Sequence, residues 1–317
     1  MSTPEKEPNW ERQLLEKLAL AALQEQRTKR RWGIFFKLAT LSYLVVVLFL
    51  LVDGGASEQL ADGRQTALVH LQGTIEAQGE ASAENINDAL EAAFADHRTA
   101  GVILRMNSPG GSPVQAGLIH DEIRRLRTKH PQIPLYAVVE DVCASGGYYV
   151  AVAADKIFVD KASIVGSIGV LMDAFGFTGT MEKLGIERRL LTAGENKGFL
   201  DPFSPQDAAQ KAHAQVLLRE IHEQFIDVVR RGRGDRLKDS PELFGGLMWT
   251  GSQSISLGLA DGMGTVGSVA RDVIKAERIV EFTIRENIAE RFARRLRAHP
   301  TDEAAASLLG AGRLLFR

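Results

Sequence analysis

The residues able to do chemistry in this 317-residue sequence sit in loops of small side chains. In Cys143-Ala144-Ser145-Gly146-Gly147-Tyr148-Tyr149 a serine stands among neighbours too small to shield it, where the pattern predicts a helix to begin. Such a serine suits an exposed nucleophile, and the Gly146 N–H of its own helix can face a developing oxyanion. A helix-capping serine is an equally good reading of the same residues. Cys143, the single cysteine, ends an apolar strand and reads as a buried, inert thiol rather than a rival nucleophile. Upstream lies Asn107-Ser108-Pro109-Gly110-Gly111-Ser112. Two adjacent glycines before a helix turn backbone N–H groups outward, which makes an oxyanion hole, an anion site, or only a turn.

A nucleophilic serine needs a base. Of the seven histidines, His97, His120, His130, His213 and His222 fall in polar helix or loop settings and read as solvated. His70 lies on a strand and reads as a core or lining residue, and His299 is in the tail. None stands in a Gly-rich loop beside an acid, so a Ser-His-Asp arrangement lacks its base. A lysine can serve if burial beside hydroxyls lowers its pKa by about three units from about 10.4. Lys197, in Thr192-Ala193-Gly194-Glu195-Asn196-Lys197-Gly198-Phe199, has the small surroundings this requires. Taken alone it also reads as an ordinary surface lysine.

The elements that must hold these loops alternate. Residues 67–75 predict a strand, 82–97 a helix capped by Ser82, 101–107 a buried strand, and 113–129 a helix with Pro113 in its first turn. A strand over 135–140 leads into the serine loop at 141–147, and 148–154 opens the next helix. The chain continues with Ile157-Phe158-Val159-Asp160, a Gly/Ser-rich stretch over 163–170, Glu187–Thr192, a long helix over 205–232, and loop and helix over 243–275. This order predicts an α/β fold with right-handed crossovers, whose sites gather at the carboxyl ends of the strands.

Composition bounds the rest. Apolar residues make up 45% and charged ones 25%, an ordinary globular balance, and a net charge of −2 gives no reason to expect a nucleic-acid partner. One cysteine excludes an intrachain disulfide and a thiolate zinc site. No metal or other cofactor is implied. From Trp32 to Val52 only Lys37 is charged, which predicts a transmembrane helix. Arg27, Lys29, Arg30, Arg31 and Lys37 precede it, whereas Asp53, Glu58 and Asp62 follow. The positive-inside rule then puts the N-terminus in the cytoplasm and the following domain outside, periplasmic in a bacterium. The predicted organisation is a cytoplasmic segment (1–31), the membrane helix (32–52), a linker (53–65), the globular domain (66–282) and a basic amphipathic tail (283–317). The N-terminal segment reads either as a helical extension of the anchor or as a binder of membrane or partner. The tail reads either as an arm or as a solvated helix.

Asn-Ser-Pro-Gly-Gly-Ser, Ala-Ser-Gly-Gly-Tyr-Tyr, Val-Gly-Ser-Ile-Gly-Val, Ala-Gly-Glu-Asn-Lys-Gly and Trp249–Gly264 occur here in an order and spacing that resemble the signal peptide peptidase A (protease IV) family in its short form. The resemblance runs from about residue 66 to about 280 and includes the anchor. It implies a Clp-protease/crotonase-like fold, Ser145 as nucleophile and Lys197 as its general base. It further implies Ser167 as the serine that orients the lysine amine, with Ser163 as the spare candidate, and Gly111 and Gly146 as oxyanion donors. Rings of identical chains are implied, with peptide substrates such as signal-peptide remnants at the bacterial inner membrane. The sequence departs at Ser254 and Ser256 and in its longer N-terminal extension. Two other readings are a crotonase-type acyl transfer enzyme and a catalytically inactive membrane scaffold.

Overall fold

The computed structural model describes residues 30–47, 63–238 and 240–284, in two compact units that divide after Gly63. In the first unit a helix, α1, covers 30–47 and exposes its apolar residues, with Trp32, Phe35 and Phe36 in mutual ring contact. Among the described residues no helix is long and apolar enough to cross a membrane. The expected span runs on to Val52, so its end lies outside the described residues, as do nearly all of the N-terminal segment and of the basic tail.

The second unit is a mixed α/β fold. Its strands are β1 (Gln65–Gln72), β2 (Thr99–Ser108), β3 (Leu135–Ala144), β4 (Lys156–Val159), β5 (Ile164–Gly166), β6 (Met248–Thr250), β7 (Gly262–Met263) and β8 (Ile279–Glu281). The main sheet runs β6-β5-β3-β2-β1-β8, with β4 pairing β3 and β7. Every pairing is parallel except β5 with β6. Between strands lie α2 (Ala83–Ala95), α3 (Pro113–Lys129) and the short α4 (Gly146–Ala151). After β5 come α5 (Thr178–Leu184), the long α6 (Ala208–Arg233), α7 (Gly251–Ser256) and α8 (Val266–Ser268).

The central strands are apolar on both faces, as a covered parallel sheet requires. Val69, Leu71, Val102, Leu104, Met106, Ala137 and Val139 meet Ile86, Leu90, Ile119, Ile123 and Phe225 of the helices on one side. The intervening Leu68, Ile103 and Val138 meet Phe158, Val269 and Ile274 on the other. Helix starts follow the local chemistry. Ser82 Oγ accepts the Asn85 N–H at 3.3 Å, and Ser112 Oγ accepts the Gln115 N–H at 3.4 Å ahead of Pro113. Strand β3 runs on through Ala144, beyond the 135–140 expected. Its bonds to β5 at Val142, Cys143 and Ala144 carry the ladder to the residue before the serine.

One buried polar cluster ties the end of α6 to the sheet. Arg233 is 1% exposed and reaches Asp261 with two nitrogens at 2.8 and 3.0 Å, while its Nε donates to the Gly258 carbonyl at 2.8 Å. Asp261 also accepts the Ile157 N–H at 2.7 Å, and Tyr148 donates to the Leu259 carbonyl at 2.8 Å. The Trp249–Gly264 motif thus has a structural part, since it supplies the acceptors for a buried guanidinium.

Candidate active site

Ser145 occupies the residue between β3 and α4, at φ 51° and ψ −123°. Non-glycine residues avoid this left-handed region, where backbone and Cβ crowd, and hold it only when their surroundings fix it. Its N–H donates to the Gly166 carbonyl at 2.9 Å. Its hydroxyl makes no capping bond to α4, so the helix-cap reading of this serine fails. The side chain instead lines a cavity of about 540 Å³, together with Gly111, Gly146, Ser167, Tyr149 and Phe225. Cys143 is fully buried, and burial raises its thiol pKa far above the ordinary value, as expected of an inert thiol.

The Gly110–Gly111 turn packs directly on this serine. A Cβ at Gly110 would stand 2.8 Å from Ser145 Cβ and 2.7 Å from the Gly146 nitrogen. A Cβ at Gly111 would meet the Ile75 carbonyl at 2.2 Å, on a backbone of φ 148°. Ile75 donates to the Gly110 carbonyl and accepts from the Ser112 N–H, each at 2.8 Å. The Gly111 N–H between them is left on the opposite side, towards Gly146. Gly146 opens α4, so its N–H has no intrahelical acceptor. The two N–H groups expected to act together therefore flank Ser145 on neighbouring backbone.

Ser167 is a second left-handed serine, at φ 52°. Its N–H donates to the Leu247 carbonyl at 2.7 Å, and its side chain borders the same cavity. Ser163, the spare candidate, is buried elsewhere: its Oγ donates to the Glu140 carbonyl at 2.5 Å and accepts the Asp160 N–H at 2.9 Å.

Lys197 is exposed and does not line the cavity. It stands in a turn, its N–H on the Gly194 carbonyl at 3.1 Å. Gln210 of α6 holds that turn by accepting the Leu200 N–H at 3.2 Å. The turn belongs to an arm over 171–206 built on Phe177 stacked against Phe203 and on an Arg188–Asp201 ion pair at 2.8 Å. Leu171, Phe175, Leu184 and Leu191 of the arm are exposed, Leu191 by 96%. Four of the five expected site residues thus meet at one cavity, and Lys197 stays outside it within one chain.

His222 is a residue the sequence reading missed. Far from being solvated, it lines the cavity from α6, and its Nε2 bonds the Ile168 carbonyl at 3.2 Å. The signal was available in the helical spacing from His222 to Phe225, which puts both on one face.

Over residues 127–279 the chain matches the model of peptidase family S49. It is 27% identical over 237 residues to a putative signal peptide peptidase SppA of Enterococcus faecium, covering 72% of this chain and 68% of that protein. It is 32% identical over 208 residues to a putative protease of Methanocaldococcus jannaschii, covering 64% and 65%. A stretch of 182 residues, 57% of this chain, is 50% identical to a protein of Brucella abortus named as the Na(+)/H(+) antiporter NhaA. The chain spans only 25% of that protein's length. Across the stretch that holds Ser145, Ser167 and Lys197 the chain is thus similar to the model of peptidase family S49, and the relatives it resembles include proteins named as a signal peptide peptidase and a protease.

Proposed function

We propose that this protein is a serine endopeptidase of the Clp-protease/crotonase type that cleaves apolar peptides with a Ser–Lys pair. One observation carries the reading: an uncapped, left-handed Ser145 on a cavity wall, flanked by the N–H groups of Gly111 and Gly146. Ser145 Oγ attacks the peptide carbonyl, and the two N–H groups hold the oxyanion. The Lys197 amine takes the hydroxyl proton and passes it to the leaving amine, and water then releases the acyl-enzyme. Val170, Leu171, Ile221, Phe225 and Phe244 give the cavity its apolar character, suited to side chains such as those of signal-peptide remnants.

Because Lys197 lies outside its own chain's cavity, the amine that serves Ser145 comes from a second copy in a ring. The exposed apolar arm around Lys197 is the surface that such a ring would cover. A membrane helix over 32–52, with its basic flank in the cytoplasm, would hold the site on the outer side of a bacterial inner membrane.

The test is the Ser145→Ala chain, assayed beside the parent with an apolar peptide and a fluorophosphonate. Both hydrolysis and labelling should vanish. Hydrolysis at the parent's rate would sink the peptidase mechanism, and a parent chain that neither cleaves nor labels would favour the inactive scaffold.

A further inference from the structure

We propose that His222 is a positioning residue for the loop that carries Ser167, acting through the Ile168 carbonyl. The inference rests on the reading of Ser145 and Ser167 as parts of one peptidase site.

Three consecutive residues of that loop are each pinned by a different element. The Gly166 carbonyl accepts the Ser145 N–H at 2.9 Å, the Ser167 N–H donates to the Leu247 carbonyl at 2.7 Å, and the Ile168 carbonyl meets His222 Nε2 at 3.2 Å. Between the outer two, Ser167 holds a left-handed φ of 52°. A non-glycine residue keeps such a conformation only when the groups on either side over-determine it. The first two bonds are backbone to backbone, so substitution at His222 leaves their donors and acceptors in place. Only the third depends on a side chain.

The partner fixes the chemistry of the ring. A carbonyl oxygen can only accept, so Nε2 carries the hydrogen, in either the neutral Nε2–H tautomer or the imidazolium. Ile168 is fully buried, which holds that residue from its other side. His222 comes from α6, whose Phe225, Val228 and Val229 are buried in the core, so the donor stands on a rigid element. Losing it leaves the Ile168 carbonyl without this donor and lets Ser167 relax, moving its hydroxyl away from the arriving amine. The expected consequence is slower chemistry without weaker peptide binding.

The test compares two substitutions in the full-length chain. In His222→Gln a side-chain amide can still donate to the Ile168 carbonyl, and in His222→Phe nothing can. His222→Phe should lower kcat and the rate of fluorophosphonate labelling about tenfold, with KM within about twofold and a cooperative thermal transition lowered by only a few degrees. His222→Gln should stay within about threefold of the parent in both rates. Where His222→Phe fails to fold, His222→Asn, whose shorter amide does not reach the position of Nε2, takes its place. The inference is overturned if the Gln and Phe forms fall equally, if neither falls, or if KM alone rises, which would make His222 a substrate contact. Ser145→Ala in the same assay separates the two levels. Full activity there removes the peptidase reading and this inference with it, whereas a dead Ser145→Ala beside a fully active His222→Phe removes only the role of His222.

Discussion

The N–H of Ser145 donates to the carbonyl of Gly166 at 2.9 Å, so one hydrogen-bonded peptide separates the two left-handed serines, Ser145 and Ser167. Neither can relax without disturbing the other. The loop after β5 is thereby part of the nucleophile's support, and the sheet ladder between β3 and β5 reaches into the site.

That support carries strain, and strain can be measured as stability. A non-glycine residue at φ 51° costs on the order of 1–2 kcal/mol, which glycine does not incur. Ser145→Gly should therefore raise unfolding stability by about 1 kcal/mol while abolishing hydrolysis. Chemical denaturation of the two chains side by side checks this. A loss of stability would mean that the Ser145 side chain makes a contact worth more than the backbone strain.

The two glycines expected as oxyanion donors should differ sharply when given a Cβ. At Gly111 the new carbon would lie 2.2 Å from the Ile75 carbonyl, so the backbone has to move. At Gly146 the nearest atom would be the Gly111 nitrogen at 3.3 Å, which needs a shift of only a few tenths of an ångström. Gly111→Ala should reduce kcat by roughly 100-fold or more, as loss of one oxyanion donor does. Gly146→Ala should cost about tenfold. Equal losses would argue against the Gly111 N–H as a donor.

Mixing inactive chains tests where the lysine comes from. Ser145→Ala and Lys197→Ala should each be inactive alone. Refolded or co-expressed together, they should regain a part of the parent rate, on the order of a quarter for random pairing about a ring with one neighbour-supplied lysine per site. No recovery would place both residues of a working pair on one chain.

Much of this arrangement was legible in the sequence, because local signals and the global fold agree there. The buried strands, Pro113 at a helix start and the Gly-Gly turns each carry their own chemistry, so Ser145, Gly111, Gly146 and Ser167 converge as their motifs suggest. His222 was misjudged because its neighbours, Glu220, Glu223 and Gln224, are polar, although its own face of α6 turns inwards. The standing of Lys197 was beyond reach for a different reason. Its small-residue turn looks like a pocket lining, but whether it is buried depends on packing across an arm whose apolar residues face outward within one chain.

The buried Arg233–Asp261 cluster predicts how the protein fails in acid. Burial alone would raise the Asp261 carboxyl pKa, but bonds from Arg233 and the Ile157 N–H, with the charges of Arg233 and Arg236, outweigh it and hold the pKa below the ordinary value. Asp96, held by the Arg98 guanidinium, is lowered to about 2. A carboxyl with a lowered folded pKa stabilises above its unfolded pKa of about 3.9, and that stability is lost as pH falls through the folded value. Stability should therefore be flat near neutrality and drop from about pH 4 towards pH 2. Asp261→Ala strands a guanidinium that is 1% exposed, so it should cost about 3–5 kcal/mol at pH 7 and lower the thermal midpoint by roughly 10 °C. The variant should also lose part of the parent's acid-induced drop, because one of the carboxyls that titrate there is gone. Thermal unfolding of both chains from pH 7 to pH 2 measures the two effects together. A parent and variant that decline in parallel would assign the acid sensitivity to Asp96 and the remaining carboxylates instead.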